Sequence, residues 1–154
     1  MKKLMDYSIS SLVISALLLV MGSTGAQAAS PKKVVRAAKI AKSKKGSPYV
    51  YGAAGPNRFD CSGLVYYAYK RAGIKRVKRT SSQQAAQAKT IKRKRMRRGD
   101  LMFFHNGGRV YHVGIFVGWK NGRRQMIHAP RPGQRVSRTV PWTNSWFPGT
   151  YRVG

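Results

Sequence analysis

The chain has 154 residues, with 31 Lys and Arg against 3 acidic residues, giving a formal charge of +28. The acids are Asp6, Asp60 and Asp100, and glutamate is absent. This excludes a glycosidase built on paired carboxylates, a zinc protease with Glu between two helical His, and an EF-hand calcium loop. With 42% hydrophobic residues the chain can still bury one core. Chemistry is left to one cysteine, three histidines and a few hydroxyl and amide groups.

Residues 1–28 are expected to be a secretory signal peptide. Lys2 and Lys3 form a basic start, Ile9 to Met21 an apolar run, and Gly22 to Ala28 a small-residue end, with cleavage before Ala29. The apolar run is shorter than the roughly 20 residues that span a bilayer. The expected location is secreted, extracellular or wall-associated. Export also bears on Cys61, the only cysteine. Exported domains use cysteines in pairs, so an unpaired thiol suggests reactivity, although a buried cysteine can serve as a small hydrophobe.

Ser30 can cap a helix that starts at Pro31, with Val34, Ala37, Ala38 and Ala41 as its apolar stripe. Gly46-Ser47-Pro48 should end it, making 29–48 an N-terminal helix and linker ahead of one domain over 49–154. Tyr49 to Asn57 is turn-prone. A second helix is expected over Ser62–Ala72, with Asp60 as N-cap and Gly73 as its C-terminal glycine. Thr80-Ser81-Ser82-Gln83-Gln84 holds two overlapping capping boxes and should open a short third helix.

The second half changes period. Asp100 to Phe104, Tyr111 to Val117, Arg124 to Ala129 and Arg135 to Val140 are expected strands, with Thr150 to Val153 as a further one. Helices followed by a run of strands predict an α+β fold, with N-terminal helices packed on a central antiparallel β-sheet.

Cys61 falls in the first turn of the second helix, where free N–H groups, the helix dipole and the cationic surroundings should lower its pKa. A thiol nucleophile needs a base, and the base a third group to orient it. With so few acids that group must be His, Asn or Gln. His105 borders the turn Asn106-Gly107-Gly108 and is the weakest candidate. His112 begins one strand and His128 ends the next. A two-residue turn at Asn121-Gly122 would put His128 opposite Ile115, with the imidazoles on opposite faces. A three-residue loop, 120–122, puts it opposite Gly114 and on the His112 face. That bulged hairpin is the expected form, with Gly114 leaving open space beside the imidazoles.

Six segments occur in order: Tyr49-Val50-Tyr51-Gly52, Phe59 to Val65, Arg79-Thr80-Ser81, Gly99 to Phe104, His112-Val113-Gly114-Ile115 and Met126 to Pro130. Together they resemble the NlpC-type family of papain-like bacterial cell-wall cysteine peptidases. The resemblance implies a papain-like fold, with Cys61 as nucleophile, His112 as base and His128 as orienting group. It implies an oxyanion site from the Tyr49 hydroxyl and the Cys61 N–H, and substrate contacts from Asp60, Ser62, Arg79 and Ser81. The implied reaction is hydrolysis of the γ-D-glutamyl–diaminopimelate (or lysine) bond of peptidoglycan stem peptides, with no cofactor or metal. The sequence departs from the family pattern at Gly52-Ala53-Ala54-Gly55 and Val77-Lys78-Arg79.

Basic runs at 42–45, 75–79 and 92–98 would suit nucleic acid. For an exported protein, anionic wall polymers or lipid head groups are the better expected partners. The competing reading is a catalytically inert, cationic wall-binding or membrane-active module on the same fold. A zinc site from Cys61 and the histidines fits no familiar ligand spacing. A monomer is expected.

Overall fold

The structure, a computed structural model, describes residues 28–152. The expected signal peptide therefore lies outside the described residues, apart from Ala28. Helix α1 spans Pro31–Ser43, with Pro31 in its first turn and Val34, Ala37, Ala38 and Ala41 buried. Ser30 occupies the N-cap position, but its hydroxyl makes no capping bond. Its carbonyl instead accepts from the N–H groups of Lys33 and Val34.

Helix α2 spans Cys61–Arg71, one residue earlier at each end than expected, and Asp60 caps it by accepting from Gly63 N–H. It ends on Gly73 at φ 90°. There Gly73 N–H donates to Lys70 and Ile74 N–H to Tyr69, the paired bonds of a Schellman termination. Helix α3, Ser81–Gln87, opens with the Thr80–Gln83 capping box. The overlapping Ser81–Gln84 pair does not form a second one, because Gln84 turns inward and is fully buried.

Six strands follow: β1 Lys89–Thr90, β2 Leu101–Asn106, β3 Arg109–Lys120, β4 Arg123–His128, β5 Ser137–Thr139 and β6 Trp146–Thr150. They form one sheet in the order β1-β6-β2-β3-β4-β5, antiparallel throughout. Two expectations are corrected here. The last strand ends at Thr150, the residue where the expected one began, its signal masked by Pro148 and Gly149, and Val153 lies outside the described residues. The 135–140 strand shrinks to three residues, and the short β1 and a 3-10 turn at Arg93–Arg95 were not expected.

Alternation divides the sheet into two faces. Leu101, Phe103, Val113, Ile115, Val117 and Ile127 pack against the helices in the main core. Met102, Phe104, Phe116, Met126 and Trp146 form a smaller cluster on the other face. Each fully buried large apolar side chain, such as Phe59 or Phe103, contributes about 1.5–3 kcal/mol. Asp100 is fully buried between the layers. It accepts from Thr150 Oγ1 at 2.6 Å, Arg97 N–H at 2.7 Å and both arms of Arg152 at 2.7 and 2.8 Å. It thus fastens the start of β2 to the end of β6.

Candidate active site

The Asp60 carboxylate fixes the start of α2. Oδ1 accepts from Gly63 N–H at 2.6 Å and Oδ2 from Gly52 N–H at 2.9 Å. Arg79 grips the same carboxylate with two arms, at 2.7 and 3.0 Å, and extends Nη1 to Ser62 Oγ at 3.1 Å. A Cβ at position 63 would collide with the Ala53 carbonyl, so the residue two beyond Cys61 must be glycine for the 52–55 loop to pack here. Behind this turn, Gln84 Nε2 donates to the carbonyls of Ser62 and Lys78 at 3.0 and 2.9 Å, tying α3 to the first turn of α2. Cys61 is thereby held at the end of a helix clamped from three sides.

The histidines meet on the β3–β4 hairpin, by a different route from the expected one. The turn is two residues, with Asn121 and Gly122 both at positive φ (50° and 69°), as a type I′ turn requires. Lys120 accordingly pairs with Arg123. Further along, however, Phe116 pairs with Met126 and Gly118 with Gln125, leaving Val117 as an extra residue. Gly118, at φ 120°, permits this bulge. The inserted residue shifts the ladder by one, so Ile115 faces Ile127 and His128 falls opposite Gly114. Both imidazoles then lie on the Phe104–Phe116 face. His112 Nε2 sits 2.9 Å from His128 Nδ1, with the rings perpendicular and their centroids 5.1 Å apart. The space over Gly114 is not open: a Cβ there would meet Met126 Sδ at 2.6 Å.

A cavity of about 580 Å³ brings Cys61, His112, His128, Tyr49 and Tyr111 together. A second, of about 520 Å³, lies on the other side of Cys61 and is lined by Asp60, Ser62, Arg79 and Ser81. Tyr49, Cys61 and Tyr111 border both, so the thiol sits where the two halves of one cleft meet.

The profile of the NlpC/P60 family matches residues 46–154. The chain belongs to the NlpC/P60 family. It is 40% identical over 133 residues to murein DD-endopeptidase MepH of Escherichia coli K12, covering 79% of this chain and 48% of that protein. It is 43% identical over 117 residues to the probable endopeptidase p60 of Listeria monocytogenes, covering 75% of this chain and 22% of that one. The chain thus spans about half the length of MepH and less of p60. Among solved structures, the NlpC/p60 domain of the peptidoglycan hydrolase SagA aligns with a TM-score of 0.66 at 30% identity, covering 76% of this chain and 97% of that one. NlpC2 of Trichomonas vaginalis aligns at 0.67 and 32%, covering 82% and 50%. The papain-like α+β fold implied by the resemblance is that of this family.

Electrostatics in this NlpC/P60 site run against one expectation. The Cys61 thiol is pushed above its ordinary pKa, first by burial and then by the Asp60 charge. Backbone N–H groups of Val113, Ser62 and Cys61 itself oppose this without overcoming it. The helix start orients donors at the sulfur but does not outweigh desolvation. Burial and then the charge of His128 lower His112 to about 3, and burial lowers His128 to about 4. The resting trio is therefore a neutral thiol beside two neutral imidazoles. Burial, followed by the charges of Cys61 and Asp60, raises Tyr49, which keeps its hydroxyl protonated and able to donate.

His105 does not line the cleft; it lines an adjoining hollow with Asn106 and Thr143, which shares Tyr111 and Trp142 with the cleft. Three residues of the site escaped the sequence reading. Trp142 stacks on Phe104 at 4.4 Å and covers His112 and His128 at 5.3 and 5.6 Å. Tyr111 is the bulged residue between the pairs Phe104–His112 and His105–Val110. Gln84 is the buried brace. Of these only Gln84 left a trace, as a capping-box partner. Among the described residues, no cluster of three or more His, Cys, Asp or Glu is placed to hold a metal ion.

Proposed function

We propose that this protein is an exported cysteine endopeptidase of peptidoglycan stem peptides, working through Cys61, His112 and His128. The observation that carries the reading is the His112–His128 contact, which opens onto the same cavity as a cysteine at a helix start. With Nε2–H of His112 donated to His128 Nδ1, Nδ1 of His112 is left unprotonated and free to act as base.

As the thiol attacks the scissile carbonyl, its proton passes to His112 Nδ1 and a C–S bond forms. The oxyanion is taken by the Cys61 N–H and the Tyr49 hydroxyl, each such donor supplying about 2.7–4 kcal/mol of transition-state stabilisation in related sites. Collapse expels the amine, which receives the proton from His112 and leaves a thioester. Water, deprotonated by His112, then attacks the thioester and frees the acid and the thiol. His112 takes its orientation from a neutral imidazole, and among the described residues the two aspartates, Asp60 and Asp100, are both matched by arginines.

The wall of Asp60, Ser62, Arg79 and Ser81 is proposed to take the amino-terminal side of the stem peptide, and the scissile bond is proposed to be γ-D-glutamyl–diaminopimelate (or lysine). A second reading, cleavage of the D,D cross-link, is favoured by the name of MepH, at 40% identity. Digesting purified muropeptides with the protein and weighing the products separates them. New amino groups on diaminopimelate after D-glutamate support the first, and release of cross-linked dimers as monomers supports the second. Equal release by wild type and Cys61→Ala sinks both and leaves the inert wall-binding module.

A further inference from the structure

A groove of about 840 Å³, larger than the cavity at Cys61, runs along edge strand β1 and the Arg93–Arg95 turn. Its wall carries six cations: Lys89, Lys92, Lys94, Arg95, Arg97 and Arg152. Only Arg152 has a counter-ion, the buried Asp100. The other five are exposed, and among the described residues their side chains make no ion pair. The basic run 92–98 is thus divided by the fold. Arg93 turns the other way, donating to the carbonyls of Asn144 and Trp146 and lying 4.0 Å over the Trp146 ring. Lys92, Lys94, Arg95 and Arg97 line one concavity with Lys89.

Like charges gathered in a concave, low-dielectric wall focus a positive potential, and an anion entering it relieves their mutual repulsion. We propose that this groove binds a linear phosphodiester polyanion, at a site separate from the cleft around Cys61. Lysine ammonium groups and arginine forks both suit phosphate oxygens. A groove admits a strand, whereas a bilayer presents a plane. The groove's larger apolar wall residues, Ile91 and Met96, are half-buried and no aromatic lines it, so it lacks the anchors of a membrane-inserting face. The two sites share no residue. The groove follows β1 at one edge of the sheet, while the cleft is walled by β3, β4 and β5, roughly 14–24 Å away at ordinary strand spacing. A polymer held in the groove leaves the cleft open and keeps it near whatever the polymer is attached to.

The test is fluorescence anisotropy of a labelled poly(glycerol phosphate) oligomer with the purified protein and two variants of equal charge. K89Q/K92Q/K94Q/R95Q/R97Q empties the groove, while K32Q/K33Q/K39Q/K42Q/K45Q removes five charges on and just after α1, with little change in helix propensity. The groove variant is expected to bind about tenfold more weakly or worse, and the α1 variant within about threefold of wild type. Circular dichroism checks folding, and R95Q/R97Q, expected to show part of the loss, replaces the groove variant if that unfolds. Equal losses in both sets overturn the proposal in favour of diffuse charge. Groove-dependent binding to phosphatidylglycerol vesicles without binding to the oligomer overturns it in favour of a bilayer. Cys61→Ala should bind the oligomer like wild type and the groove variant should cleave small stem peptides like wild type, so this site and the peptidase reading stand or fall separately.

Discussion

His112 Nε2 and His128 Nδ1 lie 2.9 Å apart across neighbouring strands, in a contact that engages one nitrogen of each ring. The pair owes its existence to a residue eleven positions from His128. Val117 is the extra residue of the β3–β4 ladder, and without its bulge the two-residue turn would set the imidazoles on opposite faces. In a chain with no glutamate, the group that orients His112 is thus a second imidazole and not a carboxylate.

His128→Ala should leave His112 present but unoriented. The expected loss in kcat is about 10²- to 10³-fold, corresponding to about 3–4 kcal/mol. His128→Gln, which keeps an amide oxygen as acceptor, should recover part of it. Steady-state kinetics on a stem tetrapeptide, with KM read separately, checks this. Equal rates for the two variants would show that the contact does not orient His112.

The neutral resting trio sets the pH dependence of thiol reactivity. Because Cys61 is raised and His112 lowered, no thiolate–imidazolium pair forms between their pKa values. Iodoacetamide modification in the free protein should climb with pH into the alkaline range, with no plateau at pH 5–7. A fast plateau in that window would mean a stable ion pair. His112→Ala should alter this free-protein profile little while abolishing peptide turnover.

Local features were legible in the sequence and long-range ones were not. Val34, Ala37, Ala38 and Ala41 announced the buried face of α1, and Asp60 its capping of α2, because helical spacing and cap chemistry are local. The strand ends around Pro148 and Gly149 were illegible because neighbouring strands, not local propensity, hold them. The register of the histidines was inferred correctly through the wrong turn: an extra residue was required, but sequence cannot say whether it sits in the loop or in the ladder. Trp142 was invisible because its contacts with Phe104, His112 and His128 all cross the chain by more than ten residues. The thiol's pKa was misjudged for the same reason, since burial is a tertiary property.

Trp142 offers a direct check on what keeps the histidines neutral. Its side chain is 53% exposed, so Trp142→Ala should cost little stability while uncovering both rings. As burial is the cause of the lowered His128 value of about 4, that value should move up toward 6.5 in an NMR titration. A variant whose His128 still titrates near 4 would place the desolvation elsewhere.

Acid stability follows from the same two groups. Both histidines have folded pKa values below the ordinary 6.5, at about 3 and about 4. The unfolded chain therefore takes up protons first, and the stability they contribute is complete above about pH 6.5 and lost as pH falls toward 3–4. Each group contributes up to about 1.4 kcal/mol per pH unit in that window. Urea unfolding between pH 7 and 4 should show this slope, and the double variant H112Q/H128Q should flatten it. An unchanged slope would show that the two histidines do not set the acid sensitivity.

Asp100→Asn tests the other buried charge. The carboxylate is fully buried and the Arg152 side chain only 11% exposed, so the variant leaves a guanidinium matched by a neutral amide in a place water hardly reaches. Breaking such a pair from one side costs about 3–5 kcal/mol. Replacing both partners with apolar residues, as in D100L/R152M, should cost less than the single change, because no charge is then left alone. Chemical denaturation of the three proteins decides the matter. A loss below about 1 kcal/mol for Asp100→Asn would put the pair in the class of solvent-screened surface bridges and remove it as the fastening between β2 and β6.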